Sequence, residues 1–307
     1  METPKKLQII QQISGLTQTE LAAKIGISFV AFNSLYNGKS RPRQKTLLAI
    51  NELYLVVTGT NKIADGELNT KKQILKAKAK KYKSIIEAII SNQSVFDQLV
   101  LELTYHTNGI EGSTLSEGET AAILFENASI KGKTLSEQLE AKNHQTALLY
   151  LFDYLRNSSE ITEALILKLH AILLNSIHSD AGYYRQHGVR IVGANIPTAN
   201  FLKIPTLMAD LVFDINHKDL DQILHVTNIH ARFEQIHPFS DGNGRIGRLI
   251  MQAMLLINNL PPAVIKKQVK TSYLQYLNKA QTEEIYAHLE DFMCTAVEEG
   301  FKILVDI

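Results

Sequence analysis

Apolar residues recur at spacings of three and four along most of this 307-residue chain. Leu165, Leu169, Ile172 and Leu173 form one such set, and Ile229, Phe233 and Ile236 form another. That period gathers side chains onto one face of a helix and scatters them across both faces of a strand, so it predicts packed helices. Alternation suited to a strand is clearest at Val189-Arg190-Ile191-Val192-Gly193, bounded by Gly188 and Pro197. The expected fold is all-α, with a short β-hairpin at that point and little other sheet.

The length allows two or three domains. Residues 1–60 read as short helices with small turns. They carry seven basic residues (Lys5, Lys6, Lys24, Lys39, Arg41, Arg43, Lys45) against three acidic ones (Glu2, Glu20, Glu52). Residues 61–98 begin in a Gly/Asn/Asp/Thr patch and continue as a lysine-rich stretch from Lys71 to Lys83, which reads as a linker helix. Residues 99–307 read as one helical body. A formal net charge of +1 gives no whole-molecule attraction to nucleic acid or membrane. The single cysteine, Cys294, excludes an intramolecular disulfide framework and suits a reducing compartment. Lys5 and Lys6 precede no adequate apolar core for a signal peptide, and no stretch reads as a membrane span. The expected location is cytoplasmic, with no membrane partner.

The densest chemistry lies in His237-Pro238-Phe239-Ser240-Asp241-Gly242-Asn243-Gly244-Arg245-Ile246-Gly247-Arg248, which an apolar helical run follows at once. A helix ending near Ile236 would leave His237 at the mouth of a loop, as an imidazole able to accept a proton near neutral pH. Gly242 and Gly244 allow close backbone approach, and the N–H groups opening the next helix can bind phosphate oxygens. Arg245 and Arg248 lie three apart and can face the same anion. Asp241 is the lone acid, and one carboxylate plus substrate phosphates is a usual way to hold Mg²⁺. The loop is not a Walker loop, since no Gly-Lys-Ser/Thr follows, nor a Rossmann turn, since no strand precedes it.

His237 to Arg248 resembles the Fic-domain signature, His-Pro-Phe-x-Asp-Gly-Asn-Gly-Arg-x-x-Arg, at every fixed position. The resemblance extends from about Leu103 to about Glu284. It implies an all-helical core with a hairpin flap, and transfer of AMP from ATP to a Ser, Thr or Tyr hydroxyl of a protein. It implies His237 as the base and Asp241 as the Mg²⁺ ligand. Gly242, Asn243, Gly244, Arg245, Ile246 and Gly247 would line the phosphates, with Arg248 on the γ-phosphate. Gly182-Tyr183-Tyr184-Arg185 followed by Arg190, Ile191, Val192 and Gly193 resembles the flap. Tyr273 matches a position near adenine and ribose. Gln281 stands where relatives often carry Asn and keeps its donors and acceptors.

Thr107-Asn108-Gly109-Ile110-Glu111-Gly112 resembles the family's inhibitory motif, with Thr107, Glu111 and Gly112 at its fixed positions. The resemblance implies a bidentate Glu111–Arg248 pair on the ground the γ-phosphate needs. The same glutamate can also serve removal of AMP in relatives, and the sequence leaves that open.

Leu16 to Ser28 resembles the helix-turn-helix of phage-repressor-like proteins. Thr17 to Glu20 fits a capping box, Gly26 the turn, and Ser28 the cap of a second helix reaching about Tyr36. Ser28, Asn33 and Ser34 are candidates for base edges, and Lys39, Arg41 and Arg43 for DNA phosphates. That second helix is apolar and uncharged, so protein docking or homodimer formation is the other use of such a bundle. Three functional alternatives follow: a DNA-binding regulator with an autoregulatory Fic core, a de-AMPylating enzyme, or a Fic enzyme using another donor. The target protein, self-modification included, stays open.

Overall fold

Helix ends in this protein fall where short polar caps and glycines permit them. The computed structural model describes residues 2–58, 63–190, 196–217 and 221–305. They fall into two compact units, Met1–Ile63 and Ala64–Ile307. The first holds α1 (Thr3–Ser14), α2 (Gln18–Ile25), α3 (Phe29–Tyr36) and α4 (Gln44–Thr58). The second holds α5 (Asp65–Ala79), α6 (Ile85–Ile90), α7 (Gln93–Glu111), α8 (Glu117–Phe125), α9 (Leu135–Asn157), α10 (Glu163–Leu173), α11 (Ile204–Ile215), α12 (Gln222–Ile236), α13 (Asn243–Ile257), α14 (Lys270–Glu283) and α15 (Ala287–Val305). No described helix is long and apolar enough to cross a membrane.

In the first unit, Thr17 caps α2 in a reciprocal box with Glu20, and Ser28 caps α3 by accepting from Ala31 N–H at 3.3 Å. Gly26 turns between them at φ 75°, a left-handed geometry that glycine adopts without a Cβ clash. Leu7, Ile10, Leu21, Phe32 and Ile50 are fully buried and form the core. The apolar character of α3 is thereby divided. Phe32 and Leu35 face inward, while Phe29 and Val30 remain 48% and 77% exposed.

The stretch 61–98, read from the sequence as a linker helix, carries α5, α6 and the start of α7, and from Ala64 it belongs to the second unit. Some of its lysines bind acids of that unit. Lys72 is buried and donates to Asp221 at 2.6 Å and to Glu290 on α15. Lys71 pairs with Asp291 and Lys78 with Glu298, while Lys80, Lys81 and Lys83 are exposed, a division that linear charge counting does not distinguish.

The core of the second unit centres on α12 and α13, flanked by α7, α9 and α10. Leu148, Leu151, Ile166, Val226, Phe233 and Ile246 are fully buried in it. Gly247 lets α12 and α13 approach closely. A Cβ there would lie 2.5 Å from Glu234 Oε1 and 3.1 Å from Phe233 Cδ1.

No strand is present among the described residues. Of the expected hairpin, Ile191, Val192 and Gly193 lie outside the described residues, and Arg190 is exposed without regular structure. Across the flanking stretches, Thr198 Oγ1 donates to the Val189 carbonyl at 2.8 Å. Cys294 is 2% exposed, and burial pushes its thiol up to about 12, leaving it a small buried hydrophobe.

Candidate active site

His237 directly follows α12, as its C-cap, with φ 51° and ψ 61°. A left-handed residue is a usual helix ending, and His237 closes the turn by donating its N–H to the Phe233 carbonyl at 3.0 Å. Its Nδ1 lies 3.2 Å from the Glu234 carbonyl oxygen. A carbonyl only accepts, so Nδ1 carries the hydrogen and Nε2 is the basic nitrogen. Burial pulls this imidazole below the usual histidine range. The Arg185 charge adds to that pull, and the Glu234 carbonyl, Glu111 and Asp241 oppose it.

The loop after His237 is locked from inside. Asn243 donates through Nδ2 to the Phe239 carbonyl at 2.8 Å, and its Oδ1 accepts from Phe239 N–H at 2.9 Å. The Phe239 ring stacks on His170 at 3.7 Å. His170 Nδ1 accepts from Gly182 N–H at 2.8 Å, so its Nε2–H donates to the Asp241 carbonyl at 3.1 Å. Burial holds His170 down to about 4, which keeps it neutral. The Asn243 side chain is therefore a brace for the loop, and only its backbone is left to meet a ligand.

Gly242 opens α13 at φ 77° with no capping side chain. The first N–H groups of α13 therefore form an uncapped, positively polarised end. Asp241 beside it keeps 46% of its side chain exposed and accepts from Arg245 at 3.2 Å. Arg245, itself buried, also donates to Glu140 on α9 at 3.0 Å. No group of three or more potential metal-binding side chains occurs among the described residues. A cation at Asp241 would thus need oxygens from a ligand, which suits Mg²⁺ carried with phosphates.

Arg248 lies one turn further along α13 and is 3% exposed. Its Nε donates to Thr107 Oγ1 at 3.0 Å, and its Nη2 pairs with Glu111. The expected bidentate pair is thus divided between two residues of α7. Thr107 and Glu111 stand one helical turn apart and meet the same guanidinium at different nitrogens. Of the other titratable groups around Arg248, His144 and His230 are neutral and Glu234 is only partly ionised near neutral pH. Burial holds His144 and His230 down to about 3 and pushes Glu234 up to about 7. Glu111 is the fully ionised acid there. Burial opposes its charge, but Arg248 holds its carboxyl below the usual range. Its side chain is 37% exposed, so it sits at the rim of the site. Its carboxylate also abuts the opening turn of α13, where a Cβ on Gly244 would strike it.

Gly112 ends α7 at φ 109°, which directs the chain away just after Glu111. Tyr273 departs from expectation: it is 1% exposed, with its hydroxyl 2.6 Å from His230 Nε2. A ring enclosed in this way offers no face to a base, because α14 packs it against α12. Gln281 donates to the Ala231 carbonyl at 3.0 Å, which uses an amide hydrogen for helix packing. In the first unit, Lys39, Arg41 and Arg43 are exposed. The proposed base-reading residues are partly engaged: Ser28 caps α3, Asn33 donates through Nδ2 to Gln18 Oε1 at 3.4 Å and accepts at Oδ1 from Asn37 at 3.2 Å, and Ser34 donates to Ser40 at 2.9 Å. Sequence reading missed Glu140, His170, His230 and Glu234, whose neighbours in the chain carry no motif. Arg185 was visible within Gly182–Arg185 without a role.

Residues 160–255 match the Fic/DOC family, and residues 12–56 match a helix-turn-helix family. A protein adenylyltransferase Fic of Nematostella vectensis is 34% identical over 185 residues, 59% of this chain and 43% of that protein. One from Aedes aegypti is 33% identical over 186 residues, 59% of this chain and 37% of that protein. The chain thus spans about two fifths of the length of these curated relatives. Among solved structures, Fic-1 from C. elegans superposes with a TM-score of 0.69 at 19% identity, covering 98% of this chain and 96% of that one. A Fic-domain signalling protein from Bacteroides thetaiotaomicron gives 0.66 at 23% identity, covering 76% and 97%. At these identities the superpositions establish the fold.

Proposed function

We propose that this chain, which carries a Fic/DOC domain and a helix-turn-helix motif, transfers AMP from ATP to a Ser, Thr or Tyr hydroxyl of a protein. Glu111 restrains the activity. The observation that carries this reading is the Arg248 guanidinium, buried and paired with a half-exposed carboxylate at an uncapped helix end. Such a place suits an anion, and a triphosphate tail supplies one once Glu111 moves aside.

His237 Nε2 takes the proton from the target hydroxyl, and the freed oxygen attacks the α-phosphorus. The bond to the bridging oxygen breaks, and pyrophosphate leaves. The opening amides of α13, from Asn243, Gly244 and Arg245, hold phosphate oxygens, with the Arg245 guanidinium beside them. Ile246 and Gly247 seat this turn against α12. Arg248 takes the terminal phosphate. Asp241 would hold Mg²⁺, and the chemistry such an ion would supply is neutralisation of phosphate charge. The target, the chain itself included, is defined here only by its hydroxyl. The reducing cytoplasm suits a protein with one buried cysteine.

Labelled-AMP incorporation tests the reading through its pH dependence. The base works as neutral imidazole, and burial holds its pKa below the ordinary histidine value of about 6.5. The rate should therefore stay level as pH falls through that value and decline only below it. A decline centred on or above the ordinary value would speak against His237 as the base.

For the first unit we propose DNA binding, supported by its helix-turn-helix match and the exposed Lys39, Arg41 and Arg43. Replacing all three with Gln should weaken a gel shift and flatten its salt dependence by about three units of slope. An unchanged shift, or none with the native chain, would favour protein docking or a homodimer.

A further inference from the structure

Arg185 is 2% exposed and forms no ion pair with an acid among the described residues, and burial lowers its pKa. A buried cation without a counter-charge is costly and persists only where hydrogen bonds hold it. All of its bonds here go to backbone carbonyls. Nε donates to the carbonyl of His237 at 2.7 Å, and Nη2 to that of Ile236 at 3.4 Å. Nη1 donates to His187 at 2.6 Å, and Nη2 also to Ala199 at 2.7 Å. Its own backbone N–H donates to the Pro238 carbonyl at 3.0 Å.

These acceptors belong to two places. Ile236 and His237 are the end of α12, where carbonyls lack intrahelical donors and a cation is favoured. His187 and Ala199 belong to the described residues on either side of 191–195. We infer that Arg185 is a positioning residue. Its guanidinium ties the carbonyl of the catalytic base, at the end of α12, to the carbonyls of His187 and Ala199, so that the base keeps its place. This inference rests on the AMP-transfer reading above. Only a planar fork with several donors can serve acceptors on different sides. It also secures His237 in a left-handed conformation that is unfavourable for a non-glycine residue.

Arg185→Lys keeps the charge and stem and removes the fork. In a Glu111→Gly background, kcat should fall about 10²-fold, as for a base displaced by about 1 Å. KM for ATP should stay within about twofold, because Arg185 makes no bond to α13. A purely structural role would instead lower the melting temperature and leave kcat of the folded fraction intact. A second readout needs no nucleotide. The imidazole NMR signals of His237 should move in the Lys variant, while those of His144 and His230 hold still. Unchanged kcat, or unmoved His237 signals, would overturn the inference. If Glu111→Gly transfers no AMP, the enzyme reading fails by itself, and the NMR comparison still decides whether Arg185 fixes His237. If the Lys variant does not fold, Arg185→Met is judged by the same two readouts.

Discussion

Glu111→Gly is expected to raise AMP transfer by about 10- to 100-fold. The estimate follows from what Arg248 does in each form. With Glu111 present, the guanidinium is engaged by α7, and the carboxylate lies against the opening turn of α13. A triphosphate entering there meets like charge and an occupied partner. Without the carboxylate, Arg248 is a buried cation lacking its ion partner, and the terminal phosphate becomes that partner. A hydrogen bond to a charged group is worth about 1.5–3 kcal/mol, which sets the range given. Thr107 retains its bond to Nε and keeps the guanidinium in place, so the gain should not come with disorder of α13. Labelled-AMP incorporation by the two forms checks this, and equal rates would remove Glu111 as the brake.

His237→Ala in that same background should lower transfer by about 10²- to 10⁴-fold, the usual worth of a general base. ATP affinity should change little, because the anion-binding amides and Arg248 lie on α13. The backbone at 237 is left-handed, which alanine tolerates poorly, so strain has to be separated from lost chemistry. His237→Asn does that, since Asn visits this region readily and cannot act as the base. Both variants should fall together. If the Asn variant kept full activity, the base would have to be sought elsewhere.

Much of this arrangement was legible before any coordinates. The three-and-four spacing of Ile229, Phe233 and Ile236 placed the end of α12, and the Gly-Asn-Gly run placed the start of α13. The caps at Thr17 and Ser28 fall where their hydroxyls allow. These are local signals, set by residues a few positions apart. What stayed hidden depends on distant pairings. Glu140 reaches Arg245 from α9, over a hundred residues away in the chain, and Arg185 binds carbonyls that have no sequence identity to read. Tyr273 was matched to the nucleotide by position, whereas packing of α14 on α12 encloses it against His230. The stretch read as a linker helix because the acidic partners of Lys71 and Lys72, namely Asp221, Glu290 and Asp291, lie about 150 or more residues away in the chain. The bidentate form expected for Glu111 and Arg248 was altered by Thr107, whose hydroxyl takes the third nitrogen.

The claim beneath all of this is that one guanidinium serves either an internal carboxylate or a terminal phosphate. Calorimetric titration of ATP and ADP, with Mg²⁺, into the native chain and into Glu111→Gly tests it without relying on turnover; His237→Ala in both prevents reaction. The native form should bind the two nucleotides with similar affinity, and the glycine variant should prefer ATP by about tenfold or more. A glycine variant that makes no distinction between ATP and ADP would show that Arg248 does not receive the terminal phosphate.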